Sequence, residues 1–355
     1  MIFFYNQVKS IGFKRLKILK KVCYNWFIMK KEGKFMRATI KDIANLAGVS
    51  GSTVSRALAD DSRISDKTKE KVQKIAKELN YKPNIMARGL VSKRKGILGV
   101  VLPKATMELF TSQFFIEIMQ GISKRAKENN YYIMFDFCKS DKEEFVSTKK
   151  FVESGLVDGV CLLSSRDEDQ SLEFLKRKKF PFVVIGEPME KKDTLWVDNN
   201  NLEATYNIVK KYKNEKELIF VGGSKHLIVT KNRVNGFKKA CKEFHLKGEI
   251  ILGNNFSVEE GYRLAKKIKI KEKLEKIIIS DDQLLKGVLE YFEEEHISNV
   301  EIISFNKCDV KEVWKKKVKT IDIKASKLGS KAIELLLYGI EKNINEKNEM
   351  INIEF

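Results

Sequence analysis

TIKDIANLAGVSGSTVSRALADDSRISDKTKEKVQKIAKELNY, residues 39–81, reads as three short helices joined by tight turns. Thr39 can N-cap the first helix, with Asp42 three residues on as its capping-box partner. Ile43, Ala44, Leu46 and Ala47 give that helix one apolar face, and Gly48 ends it where a positive φ costs least. Ser50 N-caps a second helix, Gly51 to Leu58, in which Val54 and Leu58 are four apart and point inward. Ser65 N-caps a third, whose apolar positions Val72, Ile75, Ala76 and Leu79 keep a helical period.

Two short helices with a glycine-containing turn between them are the geometry that lays the second helix in the major groove of DNA. Gly51, Ser52 and Arg56 fall on the outward face of that helix. Arg56 can donate two hydrogen bonds to guanine, worth about 1–3 kcal/mol of discrimination. Thr53 and Ser55 suit phosphate oxygens, which set register without reading sequence. Thr39 and Ser50, at the two helix starts, complete the expected DNA-contacting set. A small helical bundle with no DNA role has the same spacing, and charge separates the two. Of a net +20, residues 1–35 carry +8 and residues 36–95 another +8, leaving +4 for the remaining 260. A basic head on a near-neutral body is the electrostatic pattern of nucleic-acid binding.

Outward from the head, residues 1–35 mix lysines among apolar residues, which does not fit a signal peptide. They read as a basic leader, with Met36 as the expected true start, and 36–82 as the DNA-binding domain. Residues 83–95 read as a hinge. Pro83 sets its boundary, and the stretch to Leu90 is too short to hold a helix alone in water. From residue 96 to 355 the pattern changes to apolar runs (ILGVVLP, YYIMFDF, GVCLL, FPFVVIG, LIFVGG, KIIIS, VEIISF) alternating with helical stretches. That alternation means parallel α/β sheets, and the length implies two lobes.

Nothing in the body reads as an enzyme. The three histidines (His226, His245, His296) sit in no metal or triad motif, and FVGGSKH at 220–226 lacks the spacing of a phosphate loop. The five cysteines are scattered, with no pair at metal-ligand spacing, as in a reduced protein of the cytoplasm. No metal and no cofactor is expected. No run of about 18 apolar residues exists, so no membrane role is expected.

Residues 39–102 resemble the lactose-repressor/galactose-repressor family. TIKDIANLAGVSGSTVSRAL, ISDKTKEKV, LNYKPNIMARGL and GILGVVLP occur in the family's order. The resemblance implies a small all-α helix-turn-helix head and an α/β body of two periplasmic-binding-protein-like lobes with parallel sheets. It implies a homodimer on double-stranded operator DNA, nucleoid-associated, with base contacts at Gly51, Ser52 and Arg56. It also implies hinge contacts in the minor groove at Asn84, Ala87, Arg88 and Leu90, with Leu90 wedged between central base pairs. Val91 stands where the family is often basic.

The body stretches VDNNN, FVGGSKHLIVTKNRVNGFKKA and SDDQLLKGV resemble Gram-positive maltose-operon repressors within that family. By that resemblance Arg233 and Asp282 grip hydroxyls of a small sugar effector, with Asn306 where the family usually carries Asp. Phe114, Phe115 or Trp196 would stack on a pyranose ring. The function expected is a repressor switched by maltose or a related α-glucoside. Two alternatives stand beside it: a global carbon catabolite regulator with a phosphoprotein co-repressor, and a sugar-binding protein with no regulatory role.

Overall fold

The computed structural model describes residues 38–58, 60–81, 94–103, 112–270 and 275–353. The expected leader, 1–35, and the expected hinge contacts Asn84, Ala87, Arg88 and Leu90 lie outside the described residues. The chain divides into two compact units, Met1–Ser92 and Lys93–Phe355.

In the first unit, α1 (Ile40–Ala47) begins with the full capping box. The Thr39 amide donates to Asp42 Oδ2 at 2.8 Å, and the Asp42 amide donates to Thr39 Oγ1 at 3.4 Å. Gly48 ends the helix at φ 70°, the left-handed conformation its lack of a Cβ permits. Ser50 Oγ accepts from the Thr53 amide at 3.1 Å and so caps α2 (Gly51–Leu58). α3 (Asp66–Glu78) differs from expectation in one detail. Ser65 occupies the capping position, but its hydroxyl pairs with Thr68 Oγ1 at 3.0 Å instead of bonding a backbone amide. Ile43, Ala44, Ala47, Val54, Ala57, Val72 and Ala76 close a small core shared by all three helices. Ala57, not Leu58, is the fully buried partner of Val54; Leu58 packs half-buried at the edge.

The second unit is built on two all-parallel sheets. The first contains β1 (Ile97–Leu102), β2 (Tyr132–Phe137), β3 (Gly159–Leu162), β4 (Phe182–Ile185), β5 (Leu195–Asn199) and β11 (Lys347–Ile351), in the order β11-β5-β4-β3-β1-β2. The second contains β6 (Glu217–Gly222), β7 (Lys247–Leu252), β8 (Glu275–Ile279), β9 (Val300–Phe305) and β10 (Val318–Ile321), in the order β10-β9-β8-β6-β7. The first strand of each sheet lies between its second and third, so both lobes repeat one doubly wound topology. The connecting helices are α4 (Gln113–Glu128), α5 (Asp141–Ser154), α6 (Gln170–Lys178), α7 (Asn201–Lys211), α8 (Ile228–Glu243), α9 (Val258–Ala265), α10 (Asp282–Glu294) and α11 (Ala325–Lys342). The chain passes from one lobe to the other between β5 and α7 and returns between β10 and α11.

All seven expected apolar runs are strands. The four strands not anticipated are polar for physical reasons. β7, β10 and β11 are edge strands with exposed positions, and β5 turns from apolar Leu195–Val197 to polar Asp198–Asn199 at its end. Edge strands need fewer apolar residues because only part of their surface is covered.

α4 and α11 pack through facing glycines. A Cβ on Gly121 would lie 2.0 Å from the Ser326 carbonyl oxygen, and one on Gly329 would lie 2.3 Å from that of Ile118. Backbone cannot yield as a flexible side chain can, so Gly121→Ala is expected to lower stability by about 1–3 kcal/mol through overpacking. Urea unfolding of the variant against the wild type measures it.

Candidate functional site

Two surfaces carry the residues expected to function. On the head, the start of α2 presents a compact row of hydroxyls. Ser50 Oγ lies 2.8 Å from both Ser52 Oγ and Thr53 Oγ1, so one bonded set holds the three side chains in place. Ser52 and Arg56 are exposed, and Gly51 and Ser55 are half-covered. Thr39 is exposed, but its hydroxyl is engaged by Asp42 Oδ2 at 2.7 Å. A Cβ on Gly51 would meet only Ile40 Cγ2, at 3.4 Å, so glycine is not sterically required there. The loop after α2 is stapled by Arg63–Asp61 and Lys69–Asp60 pairs of 2.6 and 2.7 Å. Arg63 holds the Asp61 carboxyl well below the usual carboxylate range.

The second surface is the junction between the lobes. Parallel strands end on the same side of each sheet, and the polar residues gather there. Asp198 and Asn199 end β5, Ser280 and Asp281 follow β8, and Asn306 follows β9. Arg233, one turn into α8, is buried among them. Its Nε donates to Asn201 Oδ1 at 2.9 Å, its Nη1 donates to the Ser280 carbonyl, and its guanidinium lies 3.9 Å over the Phe305 ring. Asp282, fully buried, accepts from Asn306 Nδ2 at 3.0 Å, Gln283 Nε2 at 2.7 Å and Ser112 Oγ at 3.4 Å. The last bond joins the two lobes. Asn306 also donates to Asp281 Oδ2 at 3.1 Å, and Asn306 takes a left-handed backbone, φ 67°.

Two buried carboxyls, Asp198 and Asp282, and the half-buried Asp281 line this junction, and Asp198 and Asp281 set the field at the Arg233 guanidinium. Burial lowers the Arg233 pKa to about 10 and raises that of Asp198 to about 6. Burial, and then the neighbouring Asp282, push Asp281 well above the usual carboxylate range. Asn306 Oδ1 and Ser280 Oγ are buried with no hydrogen-bond partner. Unpaired buried oxygens are costly.

Phe114 and Phe115 meet edge to face, ring centroids 5.2 Å apart, in the first turn of α4 beside Ser112. Both are half-buried against the main core of the unit. Trp196 lies apart from this group. It is 3% exposed, within the cluster of Val101, Phe151, Phe182 and Val184, and Lys191 covers its ring at 5.4 Å. Alternation along β5 turns Trp196 away from the face that Leu195 and Val197 share. The structure also adds residues that spacing did not single out: Asp198, Asn201, Asp281, Ser280, Ser112 and Phe256. Phe256 packs its ring onto Gly223, where an added Cβ would sit 2.6 Å from Phe256 Cε1. The available signal was positional, since VDNNN and SDDQ both follow apolar runs where strands end.

Among the described residues no group of three or more His, Cys, Asp or Glu could hold a metal ion, and no helix is long and apolar enough to cross a membrane.

Residues 39–84 match the pattern of bacterial regulatory proteins of the lacI family, and residues 213–354 match a periplasmic binding protein-like domain. The chain is 36% identical over 318 residues to the HTH-type transcriptional regulator MalR of Streptococcus pneumoniae, covering 88% of this chain and 95% of that one. The chain belongs to the lacI family. Among solved structures, a probable maltose operon transcriptional repressor malR of Staphylococcus aureus matches at 25% identity and a TM-score of 0.66, over 74% of this chain and 96% of that one. The Lac repressor dimer bound to operator matches in fold, with a TM-score of 0.74 at 17% identity over 90% of this chain and 97% of that one. This lacI-family chain is therefore a DNA-binding transcriptional regulator, not an enzyme.

The buried acids give the regulator a pH signature. Burial also pushes Glu144 up to about 7, against the pull of Arg166. A carboxyl whose folded pKa is raised binds its proton more tightly in the folded state. Its contribution to stability is full below the ordinary carboxylate range and is lost as pH rises through about 6 for Asp198 and about 7 for Glu144. The melting temperature is expected to fall from about pH 5 to about pH 8, and Asp198→Asn to flatten part of that fall. Calorimetric scans across this range check both.

Proposed function

We propose that this regulator is a homodimeric repressor whose hold on operator DNA is switched by a small neutral sugar, maltose or a related α-glucoside, bound between the lobes. The observation that carries this reading is the buried junction around Arg233 and Asp282, with Asn306 Oδ1 and Ser280 Oγ left unpaired beside them. A guanidinium fork and carboxylate acceptors can grip neighbouring hydroxyls, and unpaired oxygens can accept from them. Three carboxyl groups near one arginine leave no cationic excess to hold an anionic ligand. Phe256, beside Gly223, and Phe114 and Phe115, at the start of α4, are the aromatic faces proposed to stack on a sugar ring. The maltose reading draws on the Staphylococcus aureus relative, described as a probable maltose operon repressor.

On the DNA side, Ser52 and Arg56 are the proposed base-reading residues, with Gly51 permitting close approach. Thr39, Ser50, Thr53 and Ser55 are the proposed phosphate contacts. Residues 36–82 are proposed as the DNA-binding domain, 83–95 as the hinge, and 96–355 as the sensing and dimerising body. Asn84, Ala87, Arg88 and Leu90 are proposed to enter the minor groove. Sugar can shift the equilibrium only by its preference for the DNA-free state, and that preference sets the size of the response.

Titration of operator-bound protein with maltose, read by fluorescence anisotropy, is expected to weaken binding by about tenfold or more, and Arg233→Met to abolish that response. Unchanged operator affinity would sink the maltose reading; affinity that rises with a phosphorylated carrier protein would favour the catabolite regulator instead. Arg56→Ala is expected to relax preference at one base position per half-site by about 1–3 kcal/mol, measured on a panel of single-base operator variants. Equal weakening on every sequence would make Arg56 a phosphate contact.

A further inference from the structure

The loops that leave β3 and β6 belong to different lobes, yet they pair as backbone. Arg166 and Leu227 form an isolated antiparallel bridge. The Asp167 amide donates to the His226 carbonyl, and the Ile228 amide donates to the Ser165 carbonyl, both at 3.1 Å. A charge pair sits on the bridge: Lys231 Nζ lies 2.7 and 2.6 Å from the two carboxylate oxygens of Asp167. None of these groups belongs to the polar junction around Arg233 and Asp282.

The β3 side is held unusually firmly for a surface loop. The Arg166 guanidinium pairs with Asp141 and Glu144 at the start of α5, donates to Ser164 Oγ at 2.8 Å, and lies 3.7 Å from Asp169. Asp169 is itself fixed, accepting from the Ser171 and Leu172 amides to cap α6. Arg166 and Glu144 are about one-tenth exposed or less. A surface ion network alone would explain the side chain of Arg166. It does not explain why the backbone of the same residue reaches across to the other lobe. The network fixes one half of a cross-lobe contact so that the other half can dock on it.

We propose that residues 165–167 and 226–231 are a latch at the rim of the junction, holding the lobes closed independently of any ligand. The backbone bridge supplies geometry, and Asp167–Lys231 supplies an electrostatic catch in a half-exposed setting. Asn232, which donates to Glu187 Oε2 at 2.8 Å, adds a second cross-lobe bond on the same helix. The latch sets the balance between closed and open lobes before an effector arrives, and an effector must enter past it.

Hydrogen–deuterium exchange of the Asp167 and Ile228 amides in the full chain tests this, because both amides lose their acceptors when the lobes part. Asp167→Lys and Lys231→Asp are each expected to speed exchange at both amides by about fivefold, the upper range for a half-exposed ion pair. The swapped double variant is expected to return exchange to within about twofold of wild type. Amides inside β1 and β6, such as Val100 and Phe220, should not change in any variant. Asp167→Asn is the milder change if a charge reversal fails to fold. Unchanged exchange in the single variants, or no recovery in the swap, overturns the latch. The measurement uses no sugar, so its outcome is separate from that of the maltose reading.

Discussion

A guanidinium buried between two lobes is the constraint around which this molecule is arranged. Arg233 cannot be hydrated, so its charge must be met by the protein. The protein meets it with an amide oxygen from Asn201, a carbonyl from Ser280, the face of Phe305, and the fields of Asp198 and Asp281. No hydrogen bond to Arg233 comes from a carboxylate among these contacts. Breaking the arrangement from one side leaves an uncompensated charge, which is far more costly than the net value of any one bond.

Parallel strand direction is what brings those neighbours together. Each sheet sends all its carboxyl ends to one side, and helix caps and loop starts fill that side with polar side chains. The crossing segments are tied there as well. Asn199 donates its amide to the Ile323 carbonyl at 3.1 Å, where the chain returns toward α11, and to the Ile351 carbonyl at 2.9 Å, at the end of β11. One buried side chain thereby links the outgoing crossing, the returning crossing and the final strand. Asn201 joins this knot to Arg233, so the buried charge and the inter-lobe connection share a continuous run of hydrogen bonds.

The head follows a different economy of structure. Its core is only a few aliphatic side chains, and its order comes from caps, a glycine stop and two short ion pairs. Small domains of this kind depend on local signals because they bury little apolar surface. That is why the head was legible almost residue by residue: Thr39 with Asp42, Gly48, and Ser50 all act within four positions of themselves. Ser65 departs: its hydroxyl pairs with Thr68 Oγ1 and bonds no backbone amide, although Ser50 makes both contacts with Thr53 at the same spacing.

The sequence by itself determined the division into a basic helical head and an α/β body, the seven apolar strands, and the presence of Arg233, Asp282 and Asn306 in suggestive stretches. These are local or periodic properties, written in spacing and in where polar residues interrupt apolar runs. Only the tertiary structure decided that Asp198, Asn201, Ser280 and Asp281 share one buried junction with Arg233, that Trp196 belongs to a core face, and that Arg166 carries its loop to another lobe. Those outcomes depend on strand order and on the facing of two sheets. Neighbours separated by more than a hundred residues, as Ser112 and Asp282 are, leave no periodic trace, because their meeting is fixed by topology and not by any local preference.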